Sequence, residues 1–317
     1  MTDEPWSLVT YGTPGKHLPR TGIRTADGTV HAAPGTLAET PLLEIIGEWQ
    51  RLGETLRAWR PDPAAVVPDA ELRTPLAYPS KVLCAGANYY GHLEEMGVEK
   101  RAEPAEAYFF SKTPRTTVIG PGDAVPYPPG AGRRLDWEAE LAVVIGREGK
   151  GFSPEEAPGY IAGYTIADDM SARDALQRPE AVGPPFQFDW LRTKSLDGFC
   201  PLGPGIVPSW FVDDPQNLGI RLSVNGEVKQ NSTTGDMIRP VMELLSVAAK
   251  DMTLLPGDVI LTGSPAGVGM ALGEFLVPGD EIVIEIERLG RLCHSVGPRS
   301  GPTGSTGPTG SAGPSGL

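Results

Sequence analysis

The stretch Asp136-Trp137-Glu138-Ala139-Glu140-Leu141-Ala142-Val143-Val144-Ile145-Gly146 restricts the fold of this chain more than any other. Its apolar run, closed by a glycine, predicts a strand. Successive strand residues face opposite ways. Glu138 and Glu140 therefore share a face with Ala142 and Val144, and Ala139, Leu141, Val143 and Ile145 share the other. Neighbouring carboxylates repel each other and resist burial. Either the strand end reaches solvent, or a hard cation such as Mg²⁺, Mn²⁺ or Ca²⁺ sits between the two acids.

Length and composition narrow the choices. A chain of 317 residues with 40% hydrophobic content suits one large domain, or a catalytic domain with a small appendage. No run of about 18 apolar residues is present, so no membrane span is expected. The opening Met-Thr-Asp-Glu-Pro-Trp lacks the basic and apolar parts of a signal peptide, which sets a cytoplasmic expectation. A net charge of −13 with scattered basic residues argues against nucleic acid and anionic membrane partners. An anionic small substrate stays open, because a bound divalent ion would invert the local field. Cys84, Cys200 and Cys293 are too few and too separated for a disulfide framework and read as buried thiols. The four histidines form no HExxH pairing, which leaves oxygen ligands for any metal.

Along the chain, Ser7–Tyr11 and Gly22–Thr29 read as short strands. A helix is expected from Pro41 to near Pro61, capped by Thr40, with Leu42, Ile45, Ile46, Trp49, Leu52, Leu56 and Trp59 at helical spacing. The Pro- and Ala-rich segment after Pro61 places a boundary near residue 75. The strand Lys81–Ala87 leads into a turn where His92 and Glu95, three apart, share a helical face and can touch. Such contact would orient the imidazole as a general base, although a solvated turn that happens to carry a histidine also fits.

Tyr160–Ala167 reads as a strand ending in Asp168-Asp169, which either caps a short helix or delivers a third carboxylate. Lys194, one of eight lysines in an arginine-preferring chain, could meet a developing oxyanion or enolate. A hairpin is expected around Asn225-Gly226, a helix over Asp236–Lys250, a flexible glycine-rich loop at Gly263–Gly269, and a final strand at Glu281–Glu287. Gly301–Gly316 carries glycine at every third position, with too few triplets for a stable triple helix, so residues 297–317 are expected to be a disordered collagen-like tail.

Five stretches in order resemble the fumarylacetoacetate hydrolase family. They are Gly86-Ala87-Asn88-Tyr89-Tyr90-Gly91-His92-Leu93-Glu94-Glu95, Asp136–Leu141, Asp169-Met170-Ser171-Ala172-Arg173-Asp174, Lys194–Pro204 and Thr262–Gly269. The resemblance implies an α+β, mostly β fold. In it a mixed β-roll, sandwich-like catalytic domain over residues 76–296 follows a small N-terminal α/β domain over 1–75, usually as a homodimer. It further implies metal ligands Glu138, Glu140 and Asp169 for Mg²⁺ or Mn²⁺, with Ca²⁺ admissible, and a water-activating pair, His92 and Glu95, on a lid-like segment. Lys194 would stabilise the oxyanion or enolate, and Arg173, Gln177, Thr262 and Tyr89 would contact substrate. The family's Arg-Asp-x-Gln spacing is one residue longer here, so Gln187 competes with Gln177 for that role, and the loop 178–191 is richer in Pro, Phe and Trp.

The activity expected first is hydrolysis of a C–C bond in a 2,4-dioxo acid of the acylpyruvate or fumarylpyruvate type. A divalent ion would polarise the carbonyl and stabilise the enolate that leaves. The alternative is a lyase or isomerase with the same enolate chemistry: a 2-oxo dicarboxylate decarboxylase or a sugar-acid dehydratase. A non-catalytic scaffold assembled through the tail is a remote third.

Overall fold

The computed structural model describes residues 5–99, 105–130 and 132–299, so the expectation for the tail lies, from residue 300 on, outside the described residues. The architecture is α+β and mostly β, as expected. An eleven-stranded sheet packs against a five-stranded one, with a small two-stranded pair between Leu135–Asp136 and Ser171–Ala172. Among the described residues no helix is long and apolar enough to cross a membrane.

At the centre of the large sheet is the strand Ala139–Ile145, all seven residues buried. It runs antiparallel to Ile161–Asp168 on one side and Val259–Leu261 on the other. Its two faces divide as the alternation requires. Ala139, Leu141, Val143 and Ile145 join a core with Leu222, Ile282 and Ile284 of the second sheet and with Val241, Leu245 and Ala248 of the helix Val241–Asp251. Ala142 and Val144 pack instead with Trp6, Leu8, Leu42, Ile45, Ile46 and Trp49. Each such large aliphatic side chain contributes about 1.5–3 kcal/mol by leaving water.

The N-terminal segment extends the same large sheet. Trp6–Thr13 turns into Lys16–Thr25, and Leu8 pairs with Ile206 of Cys200–Pro208. The strand expected over Gly22–Thr29 ends early: Gly22 to Thr25 close the strand Lys16–Thr25, and residues 26–29 turn, with the Asp27 side chain accepting from Thr29 N–H. The single helix expected after Pro41 is two, Leu42–Gly47 and Trp49–Arg57. Glu48, at φ −104° and ψ 20°, breaks it after a poor helix former, Gly47, and the break lets Trp49 stack on Trp210. Thr40 does not cap; its hydroxyl bonds back to Thr36 O, and Pro41 occupies the cap position. The later helix begins at Val241 rather than Asp236, because Pro240 cannot sit inside it. The expected final strand, Glu281–Ile286, is followed by another, Gly290–Arg299, which pairs with it antiparallel.

Candidate active site

Ladder register assembles the carboxylates. Ala139 lies opposite Asp168, so Asp169, one residue beyond its strand, arrives beside Glu138, and its N–H donates to Glu138 O at 2.9 Å. One carboxylate oxygen from each of Glu138, Glu140 and Asp169 lies within 4.8 Å of the others, and all three residues are buried. The solvated strand end is thereby excluded.

Cations close in from separate elements. Lys194, ending the helix Trp190–Lys194, directs Nζ to Glu138 Oε2 (2.7 Å), Asp169 Oδ2 (2.9 Å) and Asp169 O (3.1 Å). Arg173 donates from Nε to Asp136 Oδ2 at 2.7 Å and from Nη2 to Glu138 Oε1. Lys112, which no motif in the sequence singles out, ends the strand Tyr108–Lys112 with no exposed surface. Its Nζ lies 2.7 Å from Asp169 Oδ1 and donates to the carbonyls of Met170, Lys194 and Phe199 at 3.0, 2.7 and 2.7 Å. A lysine closing a short strand in a chain with so few lysines was its one available signal.

The acids respond differently. Burial opposes ionisation of Glu138, yet the Lys194 and Arg173 charges outweigh it and hold this carboxyl below the ordinary range. Glu140 is pushed well above that range by burial and by the neighbouring Asp169 and Glu138 charges. Among the described residues its one hydrogen bond comes from Gly263 N–H at 2.6 Å. Three buried oxygen donors, one of them destabilised as an anion, fit a hard divalent cation, which would neutralise the crowding. Because Glu140 must ionise to ligate, Mn²⁺ binding to metal-free protein should release a proton, and affinity should rise with pH. Calorimetry in buffers of different ionisation enthalpy measures both, and proton-neutral binding would contradict this assignment.

Gly263–Gly269, expected to be a flexible loop, is a packed backbone-donor cradle. Gly263 serves Glu140, Gly267 N–H donates to Glu95 Oε2 at 2.8 Å, and Gly269 and Met270 donate to Asp136 at 2.6 and 3.1 Å. Gly263 has φ +98°, and a Cβ there would meet Asn88 Cβ at 2.7 Å; at Gly267, φ +101°, it would strike Lys229 O.

His92 and Glu95 share the short helix Tyr90–Glu95, with Nδ1 2.6 Å from Glu95 Oε1. Both line a cavity of ≈ 770 Å³ together with Arg173 and Gln177. Gln187 lines an adjoining hollow, which it shares with Gln177. Tyr89 and Thr262 are placed differently. The Tyr89 hydroxyl is buried with no hydrogen-bond partner among the described residues, and burial raises its pKa above the ordinary phenol range. The Thr262 hydroxyl donates to Leu141 O at 2.9 Å. Neither lines the cavity that holds His92.

Residues 81–297 match the family model described as fumarylacetoacetate (FAA) hydrolase C-terminal. The human mitochondrial oxaloacetate tautomerase FAHD2B is 38% identical over 297 residues, 91% of each chain. Among solved structures, fumarylacetoacetate hydrolase from psychrophilic Exiguobacterium antarcticum matches with a TM-score of 0.76 and 34% identity, covering 93% of this chain and 100% of that one. Maleylpyruvate hydrolase from Sphingobium sp. SYK-6, solved with manganese(II) and pyruvate, matches at 0.70 and 27% identity, with 93% and 100% coverage. Sequence, fold and the buried acidic cluster agree, and the chain belongs to the fumarylacetoacetate hydrolase family.

Proposed function

We propose that this chain is a metal-dependent keto–enol tautomerase of oxaloacetate-like 2-oxo dicarboxylates. The observation that carries the reading is the His92–Glu95 pair, which opens on the same cavity as Arg173, itself bonded to Glu138. Hydrolysis stood first from sequence. The 38% identity over nine-tenths of both chains to an oxaloacetate tautomerase supports putting proton transfer ahead of it.

Glu138, Glu140 and Asp169 would hold the divalent ion, which supplies Lewis acidity that polarises a 2-oxo group and acidifies the neighbouring C–H. His92 then moves the proton, taking it from the enol oxygen and delivering it to carbon 3, or the reverse. Glu95 keeps the ring in position, and Gly267 N–H keeps Glu95 in position. The Lys194 ammonium holds positive charge beside the same acids, where an anionic oxygen gains from it. Arg173, engaged with Asp136 and Glu138, aims Glu138 and lines the cavity.

His92→Asn should lower kcat for tautomerisation about 100-fold or more, within the range typical of general acid–base catalysis, and leave Mn²⁺ affinity unchanged. Glu95→Gln should lose less, because an amide oxygen can still accept from the ring. Equal loss of metal binding in both variants would contradict these roles. A second reading, C–C hydrolysis of acylpyruvates, is favoured by the cavity, whose ≈ 770 Å³ exceeds what a four-carbon acid requires. One Mn²⁺-loaded preparation assayed for loss of enol-oxaloacetate and for acylpyruvate cleavage separates the two. Rapid cleavage without accelerated tautomerisation would overturn the first reading.

A further inference from the structure

A second buried ionisable pair lies next to the acidic cluster and takes no part in the proton transfer above. His294 stands on the Gly290–Arg299 strand of the five-stranded sheet, opposite Ile282. Its side chain has no exposed surface, and Nε2 is 2.8 Å from Asp168 Oδ2, whose side chain is equally inaccessible. The other oxygen of Asp168 accepts the Glu138 N–H at 2.9 Å. On the far side of the same residue, Glu138 O accepts from Asp169 N–H, also at 2.9 Å. The backbone of Glu138 is therefore gripped at both polar atoms by the Asp168-Asp169 pair, and His294 braces one of the two grips. Nδ1 of His294 has no hydrogen-bond partner among the described residues. Stability alone is a weak reason for this arrangement, since well-packed apolar side chains often replace a buried pair at no cost.

We infer that His294 is a positioning residue for the metal centre. It fixes Asp168, Asp168 fixes the Glu138 backbone, and the five-stranded sheet is thereby coupled to the aim of a ligand in the eleven-stranded one. Without the imidazole, Asp168 Oδ2 is a buried carboxylate oxygen without a donor. It relieves that by rotating, which loosens its hold on Glu138 N–H. Partners of this kind, one step removed from the metal, typically change metal affinity about 10- to 100-fold.

The inference rests on the metal-binding reading of Glu138, Glu140 and Asp169, and titration of the metal-free full-length protein with Mn²⁺ alone, followed by calorimetry and by electron paramagnetic resonance, tests the two separately. His294→Leu should weaken Mn²⁺ binding at least about tenfold. His294→Gln, whose amide nitrogen reaches the place of Nε2, should stay within about threefold of wild type. His294→Asn, whose amide falls at the Nδ1 position, should resemble the leucine variant. If His294→Leu does not fold, the Gln and Asn variants decide. Equal Mn²⁺ affinity in the two, or affinities of all variants matching wild type while only their melting temperatures fall, would overturn the inference. Failure of the wild type itself to bind Mn²⁺ would overturn the metal reading instead.

Discussion

Glu140→Gln is expected to abolish Mn²⁺ binding, lower the metal-dependent rate about a thousandfold, and leave the metal-free protein more stable at neutral pH than wild type. The loss of rate follows from losing one of three ligands, because Lewis-acid stabilisation is worth several kcal/mol and about 4 kcal/mol is a thousandfold. The gain in stability follows from the crowding. Glu140 is buried beside two other carboxylates and is served by one backbone N–H, so its folded-state pKa lies well above that of the unfolded chain. A carboxyl raised in this way binds its proton more tightly when folded. Its contribution is fully present below the unfolded value, about 4.3, and falls as pH rises toward the folded value. Urea unfolding of metal-free protein between pH 5 and 8 should therefore show a decline in wild type that Glu140→Gln lacks. The variant should lead by about 1 kcal/mol or more at neutral pH, since even a tenfold difference in proton affinity between the folded and unfolded chain is worth about 1.4 kcal/mol. The same slope in both proteins would show that Glu140 is not the strained group.

Lys112→Met carries the largest expected cost to the fold. Lys112 Nζ donates to three carbonyls and stands 2.7 Å from Asp169 Oδ1 in a place water does not reach. Methionine fills nearly the same volume and supplies no donor. Removing one partner of a buried pair costs about 3–5 kcal/mol where the remaining charge is left uncompensated, and Asp169 would here keep the Lys194 ammonium on its other oxygen. Here the carbonyls of Met170, Lys194 and Phe199 are stranded as well, and these belong to the segments that present Asp169 and Lys194 to the site. Urea unfolding should show that loss, with Mn²⁺ binding weakened in whatever folded protein is recovered. A change below about 1 kcal/mol would mean that the site does not depend on Lys112.

Much of this site could be read from the chain because it sits on regular elements or, for Glu138 and Asp169, one residue off the end of a strand. Alternation alone sorted Ala139 through Ile145 onto two faces, and each set joins its own core. The three-residue spacing of His92 and Glu95 is enough to bring them to 2.6 Å on one helical turn. The roles of Lys112 and His294, and the partners of Asp168, stayed hidden for a common reason: the groups they bond are 30 or more positions away, and several are backbone atoms that no periodicity encodes. His294 did leave a trace, since Leu292, His294 and Val296 are buried at every second position of a strand that lies beyond the last one expected from sequence. The glycines of Thr262–Gly269 suggested mobility, whereas their missing side chains let the backbone approach Asn88 and Lys229 and present N–H groups to Glu140 and Glu95. The choice between hydrolysis and tautomerisation was never legible, because the same proposed base, cation and acids would serve either reaction.

The most direct test of the whole account is to strip the protein of metal, titrate it with Mn²⁺, and follow conversion of enol-oxaloacetate to the keto form. Wild type should gain rate in proportion to occupancy and saturate at one ion per chain. Glu140→Gln should stay at the uncatalysed rate throughout, and His92→Asn should bind the ion with little gain in rate. A stripped protein as fast as the loaded one, or a Glu140→Gln variant that follows the wild-type curve, would contradict a catalytic centre built on these three carboxylates.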